Sequence, residues 1–289
     1  MDTQIQDHYT PTDLISQVEK ALAARDIPTQ NLDPKILAPV DQLHTGGLRA
    51  TLALSKGLDL KPDTHVLDAG CGLGGTARIL AQTHPCRITG LDLTPSLVAA
   101  ASCFTDWCAL SDQINFKTAS ITRMPFEDHN FDLVLCQHIL MNIEEKKKAL
   151  SEIHRVLKPG GQLILHELFQ GKTRALQLPV PWADSPKISF LDSWGTMEDR
   201  LTQIGFCREH WVDATDQGIA FWAHINKAAA KAAKTPGQIP TPSANKAPVL
   251  GPHLVFGKNA RHFKTTMAGN FASGALQLVE SIFTKEGEI

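Results

Sequence analysis

The sequence predicts an α/β fold, a Rossmann-like, doubly wound, seven-stranded and mostly parallel sheet with N-terminal helices and a lid insertion. Three observations carry this. Short apolar runs alternate with helix-period segments from residue 64 onward, a glycine cluster follows the first run, and Pro-Gly turns punctuate the rest. Strand–helix alternation implies parallel strands, because each crossover helix brings the chain back to the same edge.

In order, DLISQVEKALAARD (12–25) places Leu14, Ile15, Val18, Ala21 and Leu22 on one helical face. A second helix over 45–57 ends at Gly57. His65–Asp68 is a strand, glycines follow, and a helix runs to Ala81. Arg87–Leu91 is the next strand and Pro95–Leu110 its helix, then come strands at Ile114–Lys117 and Phe131–Cys136 and a helix near 144–157. Lys158-Pro159-Gly160-Gly161 stops that helix and starts the strand Gln162–Glu167, since Pro cannot continue a helix and Gly permits positive φ. Residues 171–196, with three prolines and two tryptophans, read as a lid over the sheet's C-terminal edge. A helix at 196–204, a strand at 206–212 and a helix at 215–233 follow; KTPGQIPTPSANKAP (234–248) is a flexible exposed loop. A helix at 258–273 and a strand at Leu276–Phe283 complete the pattern. The division expected is a helical cap over 1–57 and one domain over 58–289.

Composition narrows the function. The 289 residues carry a net charge of −2 and 43% hydrophobic side chains, enough for a core and too little positive charge for a nucleic-acid surface. No apolar run reaches the ~18 residues of a membrane span, and the acidic N-terminus is no signal peptide, so a cytoplasmic protein without membrane partners is expected. The six cysteines form no CxxC pair and the histidines no HExxH, so no metal site is expected.

The densest signal is Val66-Leu67-Asp68-Ala69-Gly70-Cys71-Gly72-Leu73-Gly74-Gly75, between a strand and a helix. Dinucleotide loops read GxGxxG and seat pyrophosphate on the helix N-terminus. Here the spacing is GxGxGG, and Asp68 stands two residues before the first glycine. That anion would repel pyrophosphate but suits a cationic amino-acid ligand such as a sulfonium compound, which disfavours an NAD(P) oxidoreductase. Asp92, ending Ile88-Thr89-Gly90-Leu91, stands where a carboxylate accepts ribose hydroxyls.

With these residues in view, the chain resembles the class I S-adenosylmethionine-dependent methyltransferases. VLDAGCGLGG is similar to the family's first motif, ITGLDL to its second-strand acid, FDLVLCQHIL to its fourth strand and RVLKPGGQLILHE to its turn and fifth strand. LAPVDQLHTGGLRAT (37–51), HILMNIEEK (138–146) and LPVPWADSPKISFL (178–191) resemble the sarcosine/dimethylglycine-type small-molecule methyltransferases. The resemblance implies S-adenosyl-L-methionine as cofactor. Gly70, Cys71 and Gly72 would pass their backbone along its methionine moiety, Asp68 would help hold that end, Asp92 would bind the ribose and Leu93 would flank the adenine. Where relatives have an Asp for the adenine amino group, this chain has Ser120, followed by Ile121. Gln137 would lie beside the sulfonium.

Methyl transfer from sulfur needs alignment first, and a base only when the nucleophile starts protonated. His138 and His44 are candidate bases, or else hydrogen-bonded structural residues. Glu167 could bind a substrate cation or proton, or be a solvated strand-end acid. Trp182, Phe190 and Trp194 of the lid could bind an ammonium group by cation–π attraction or simply anchor the lid. The expected partner is a small-molecule substrate, an amine that can be cationic. The activity expected is methylation at nitrogen; the alternatives are an O- or C-methyltransferase of a small metabolite, a thiol or arsenic acceptor, and a non-catalytic module that binds the cofactor.

Overall fold

A computed structural model describes residues 2–9, 13–173, 175–233 and 249–287; the loop expected at 234–248 lies outside them. The strands are β1 (His65–Ala69), β2 (Arg87–Asp92), β3 (Ile114–Thr118), β4 (Phe131–Gln137), β5 (Leu157–Gln170), β6 (Phe206–Asp213) and β7 (Leu276–Lys285). They form one sheet in the order β3-β2-β1-β4-β5-β7-β6. The first five are parallel, and β7 runs antiparallel to both β5 and β6. The seven-stranded, mostly parallel sheet is the one the alternation predicts. Its direction of winding reverses between β1 and β4, so a crevice opens beyond their C-terminal ends.

The helices are α1 (Asp2–His8), α2 (Leu14–Ala23), α3 (Ala38–Asp41), α4 (Gly47–Lys56), α5 (Gly75–Thr83), α6 (Pro95–Trp107), α7 (Lys146–Val156), α8 (Trp194–Ile204), α9 (Thr215–Ala233), α10 (His253–Phe256) and α11 (Ala260–Ala272). The helical faces bury where the periodicity puts them. Leu14, Val18, Ala21 and Leu22 of α2 pack on Leu97, Ala100 and Phe104 of α6 and on Leu254 and Val255 of α10, at about 1.5–3 kcal/mol for each large side chain taken from water. Central strands read as nearly continuous apolar runs because both faces are covered: Leu67 and Val134 face one cluster, Val66 and Leu135 the other.

Three local differences from the sequence reading have physical causes. Strand β5 begins at Leu157 instead of Gln162: Phe131 pairs with Leu157 and Leu133 with Gln162, so Lys158–Gly161 bulges out, with Gly160 at φ +74°. At its other end β5 reaches Gln170 because β7 pairs along it to Leu276. The helix expected near 144–157 starts only at Lys146, because Leu140–Asn142 forms a separate 3-10 turn before it. The short α1, α3 and α10 went unpredicted, each being too brief to show a period. Among the described residues no helix is long and apolar enough to cross a membrane.

Candidate active site

A cavity of about 300 Å³ opens at the β1/β4 switch. Its floor is the glycine loop, which hangs from the end of β2: Gly70 and Cys71 N–H both donate to the Leu91 carbonyl, at 2.7 and 3.0 Å. Gly70 stands at φ +76°, and a Cβ there would meet Ile139 Cδ1 at 2.2 Å, so only glycine fits. Gly72, at φ +51°, has nothing within 4 Å of where its Cβ would stand and leaves open space over the loop.

Asp92 is held from both sides. Its Oδ2 accepts the Gly72 N–H at 2.9 Å and its Oδ1 the Thr94 N–H at 2.9 Å. A carboxylate so fixed keeps lone pairs for two further donors. Burial pushes its pKa upward, while the Thr94 and Gly72 amides oppose that. Asp68 is buried, its Oδ2 has no partner, and burial together with the Asp92 charge pushes it up to about 7. Thr76 Oγ1 donates to Gln137 Oε1 at 2.7 Å, leaving Gln137 Nε2 buried and unpartnered. Asp68, Gly70, Cys71, Gly72, Asp92, Leu93, Ser120, Ile121 and Gln137 all border the cavity, as do His44 and His138.

The two histidines differ. His44 Nε2 lies 3.0 Å from Gln42 Oε1 and 3.1 Å from Thr51 Oγ1, and its Nδ1 lies 3.2 Å from the Thr45 carbonyl. Both nitrogens are engaged inside the fold, and burial, then His166, drives the ring down to about 3. His138 sits at the end of β4 in a left-handed backbone conformation, φ 53°, and its Nε2 is buried without a partner. Burial, then His166 and His44, holds it well below the ordinary histidine range. It is therefore a neutral ring with an unengaged nitrogen.

Glu167 departs from its expected place, because it is fully buried and not on the cavity wall. Its Oε1 accepts the Ile139 and Leu140 N–H groups at 2.8 and 3.2 Å, fastening the turn that follows His138. Burial pushes its pKa from 4.5 up to about 8. A raised carboxyl binds more protons folded than unfolded, so its contribution to stability is complete below about 4.5 and is lost as pH rises through about 8. Glu167→Gln keeps the acceptor and removes the titration. Its melting temperature is expected to stay level from neutral pH to 9 while the parent's falls by several degrees, each pKa unit being worth about 1.4 kcal/mol. Parallel curves in scanning calorimetry would contradict this.

Of the three lid aromatics, only Trp182 reaches the cavity. Trp194 packs on Phe169, Phe283 and Trp211 at 5.3, 6.1 and 6.2 Å, within the sheet's core. Phe190 covers Lys146, whose Nζ donates to its carbonyl. The rest of the roof went unforeseen. Ile5 and Tyr9 come from the N-terminus, Trp222 from α9 and Met267 from α11. Tyr9 donates to Asn142 Oδ1 at 3.0 Å, and Gln6 to the Leu93 carbonyl at 2.8 Å. The spacing of Ile5 and Tyr9, one helical turn apart, was the one available signal. A buried ion pair locks the segment before His44 to the loop: Arg78 donates to Asp41 Oδ2 and to the Leu73 carbonyl, both at 2.7 Å.

Comparison with known proteins agrees with this geometry. Residues 67–165 match the methyltransferase-domain family model. A sterol 24-C-methyltransferase of Gibberella zeae is 28% identical over 177 residues, 58% of this chain and 47% of its own length. A glycine/sarcosine/dimethylglycine N-methyltransferase of Actinopolyspora halophila is 26% identical over 178 residues, 62% of this chain and 32% of its own length. The chain thus spans half or less of these relatives. A Galdieria sulphuraria structure assigned as a sarcosine dimethylglycine methyltransferase superposes with a TM-score of 0.65 at 21% identity, covering 83% of this chain and 84% of that one. The matched segment, the strand order and the Asp92-anchored glycine loop lead to one assignment: the chain carries a class I S-adenosylmethionine-dependent methyltransferase domain.

Proposed function

We propose that the chain transfers a methyl group from S-adenosylmethionine to a small molecule, at an amine nitrogen. The observation that carries the reading is His138 Nε2, buried and unpartnered beside Gln137 above the glycine loop. The residues present suit the cofactor. Asp92 would take the ribose hydroxyls, the open flank of Gly72 leaves room for the chain between ribose and sulfur, and the free Asp68 Oδ2 would face the cationic methionine end. Ser120 and Ile121 would border the adenine. When bound, the sulfonium supplies an electrophilic methyl carbon and a neutral thioether leaving group.

The chain's own contribution is alignment. A neutral His138 accepts an N–H from the acceptor and so turns the nitrogen lone pair toward the donor; such positioning can be worth ~7–11 kcal/mol in the best cases. The indole N–H of Trp182 is engaged by Ser189 and that of Trp222 by Thr45, so both rings offer carbon surface to the cavity. That surface favours entry of the amine uncharged and suits the cation formed after transfer, at ~0.5–2 kcal/mol per ring contact. The N-methylating relative supports the same choice. A second reading, transfer to carbon or oxygen, is favoured by the apolar wall of Ile5, Met141, Val255 and Met267 and by the sterol-methylating relative.

His138→Ala is expected to lower turnover of the methylated amine by at least about 100-fold, with the dissociation constant for S-adenosylmethionine unchanged in calorimetry. Turnover equal to the parent's would reduce His138 to a structural residue and remove the main support for nitrogen.

A further inference from the structure

The cavity wall is of two kinds. Over the glycine loop and the ends of β1 and β4 stand its unpartnered polar atoms: Asp41 Oδ1, Asp68 Oδ2, Gln137 Nε2 and His138 Nε2. His138 packs there against His166 and His44, with ring centroids 5.4 and 6.0 Å away, and this histidine cluster fixes where its ring stands. The wall supplied by the N-terminus, the lid, α9 and α11 is hydrocarbon. Ile5, Met141, Trp182, Trp222 and Met267 border the cavity and belong to one packed cluster. This wall starts beside His138, because Met141 follows it by three residues and Trp222 donates to Thr45 Oγ1, next to His44. The polar groups within it are spent on one another. Tyr9 donates its hydroxyl hydrogen to Asn142 Oδ1 at 3.0 Å, and Asn142 Nδ2 donates to the Trp182 and Ile188 carbonyls at 2.9 and 3.0 Å. The Trp182 indole N–H goes to Ser189 Oγ at 3.0 Å and that of Trp222 to Thr45 at 3.1 Å. Among the described residues that border the cavity none is Lys or Arg, and Glu144 and Glu145 stand exposed at its edge. An anion placed against this wall would lose its water and find neither a side-chain donor nor a counter-charge.

We propose that the methyl acceptor is an amphipathic amine, with its nitrogen at His138 and an aliphatic or aromatic tail, free of carboxylate and phosphate, against Ile5, Met141, Trp222 and Met267. This rests on the reading that the chain methylates nitrogen, and it names the class of amine. Asp68 and Gln137 stand on the cofactor's side, so the acceptor's one polar group meets His138. Taking the tail out of water against the apolar wall is favourable in proportion to the area covered, whereas an amine without a tail gains nothing there. A second polar group on the tail would be buried without a partner. In the transfer the nitrogen lone pair forms the N–C bond and the S–C bond pair stays with sulfur. The proton on nitrogen passes to water after release.

The test gives the full chain S-adenosylmethionine with a labelled methyl group and three probe amines. These are phenethylamine, its ring-carboxylated analogue 4-(2-aminoethyl)benzoate, and methylamine, which has no tail. Phenethylamine is expected to exceed each of the others in kcat/KM by at least about 100-fold. A ratio below about tenfold to the carboxylated analogue would overturn the proposal. Met267→Ala locates the tail. Its KM for phenethylamine should rise by about tenfold, with kcat and the dissociation constant for S-adenosylmethionine unchanged, a split that a general loss of structure does not give. An unchanged KM would overturn the assignment of this wall. 2-Phenylethanol separates the two readings. Label on this alcohol and not on phenethylamine overturns nitrogen as the methylated atom and upholds recognition of the tail; label on all three amines alike does the reverse. Should no probe be labelled, calorimetry of phenethylamine against the protein loaded with S-adenosylhomocysteine decides. Binding that the carboxylated analogue lacks upholds the wall's selectivity, and no binding overturns it.

Discussion

Asp92→Ala is expected to weaken S-adenosylmethionine binding by about 100-fold or more, because two charge-assisted hydrogen bonds at ~1.5–3 kcal/mol each disappear. The side chain has two roles in one position. It holds the loop, through the Gly72 and Thr94 amides, and it offers its remaining lone pairs to the cavity. Asp92→Asn separates them, since an amide keeps one acceptor for the loop but loses the charge; its affinity should fall between parent and Ala. Calorimetry is the direct readout, with circular dichroism to show that the sheet is intact. Affinity within about threefold of the parent, a change of under 1 kcal/mol, would remove Asp92 from the cofactor site.

The second large effect concerns stability. Arg78 is fully buried and donates to Ala101 O, Thr105 Oγ1, Leu73 O and Asp41 Oδ2, joining α5, α6, the glycine loop and the segment before His44. Arg78→Met strands the Asp41 carboxylate, which is 1% exposed. Leaving one member of a buried pair uncompensated costs about 3–5 kcal/mol, and the melting temperature should fall by roughly 10 °C. The double variant Arg78→Met/Asp41→Leu removes both charges and should recover much of that loss, since the penalty lies in the orphaned ion. A loss below about 1 kcal/mol for the single variant, or no recovery in the double, would show that the pair does not hold the segment down.

What could be read beforehand depended on distance along the chain. The glycine loop and the acid after β2 are local signals: GxGxGG needs its backbone freedom where it stands, and Asp92 follows an apolar run that can only be a strand. The partners that complete the site are remote. Arg78 meets Asp41 across 37 residues, Tyr9 meets Asn142 across 133 and His166 meets Thr45 across 121. No period or spacing encodes such pairs. Glu167 illustrates a subtler difficulty. In a sheet covered on both faces, alternation does not say which of two neighbouring residues reaches the site. Its neighbour His166 joins the histidine cluster, and Glu167 supports the turn behind it. The lid aromatics are set by remote packing partners instead. Trp182 and Trp194 are alike in sequence, but one lines the cavity and the other joins the core.

The most direct measurement of the central claim supplies S-adenosylmethionine with an isotopically labelled methyl group, together with small amines, phenols and a metabolite extract, and follows the label by mass spectrometry. A labelled amine is expected, with a yield that depends on His138. Tight S-adenosylmethionine binding with no label on any small molecule would contradict it and leave a domain that binds the cofactor without transferring its methyl group.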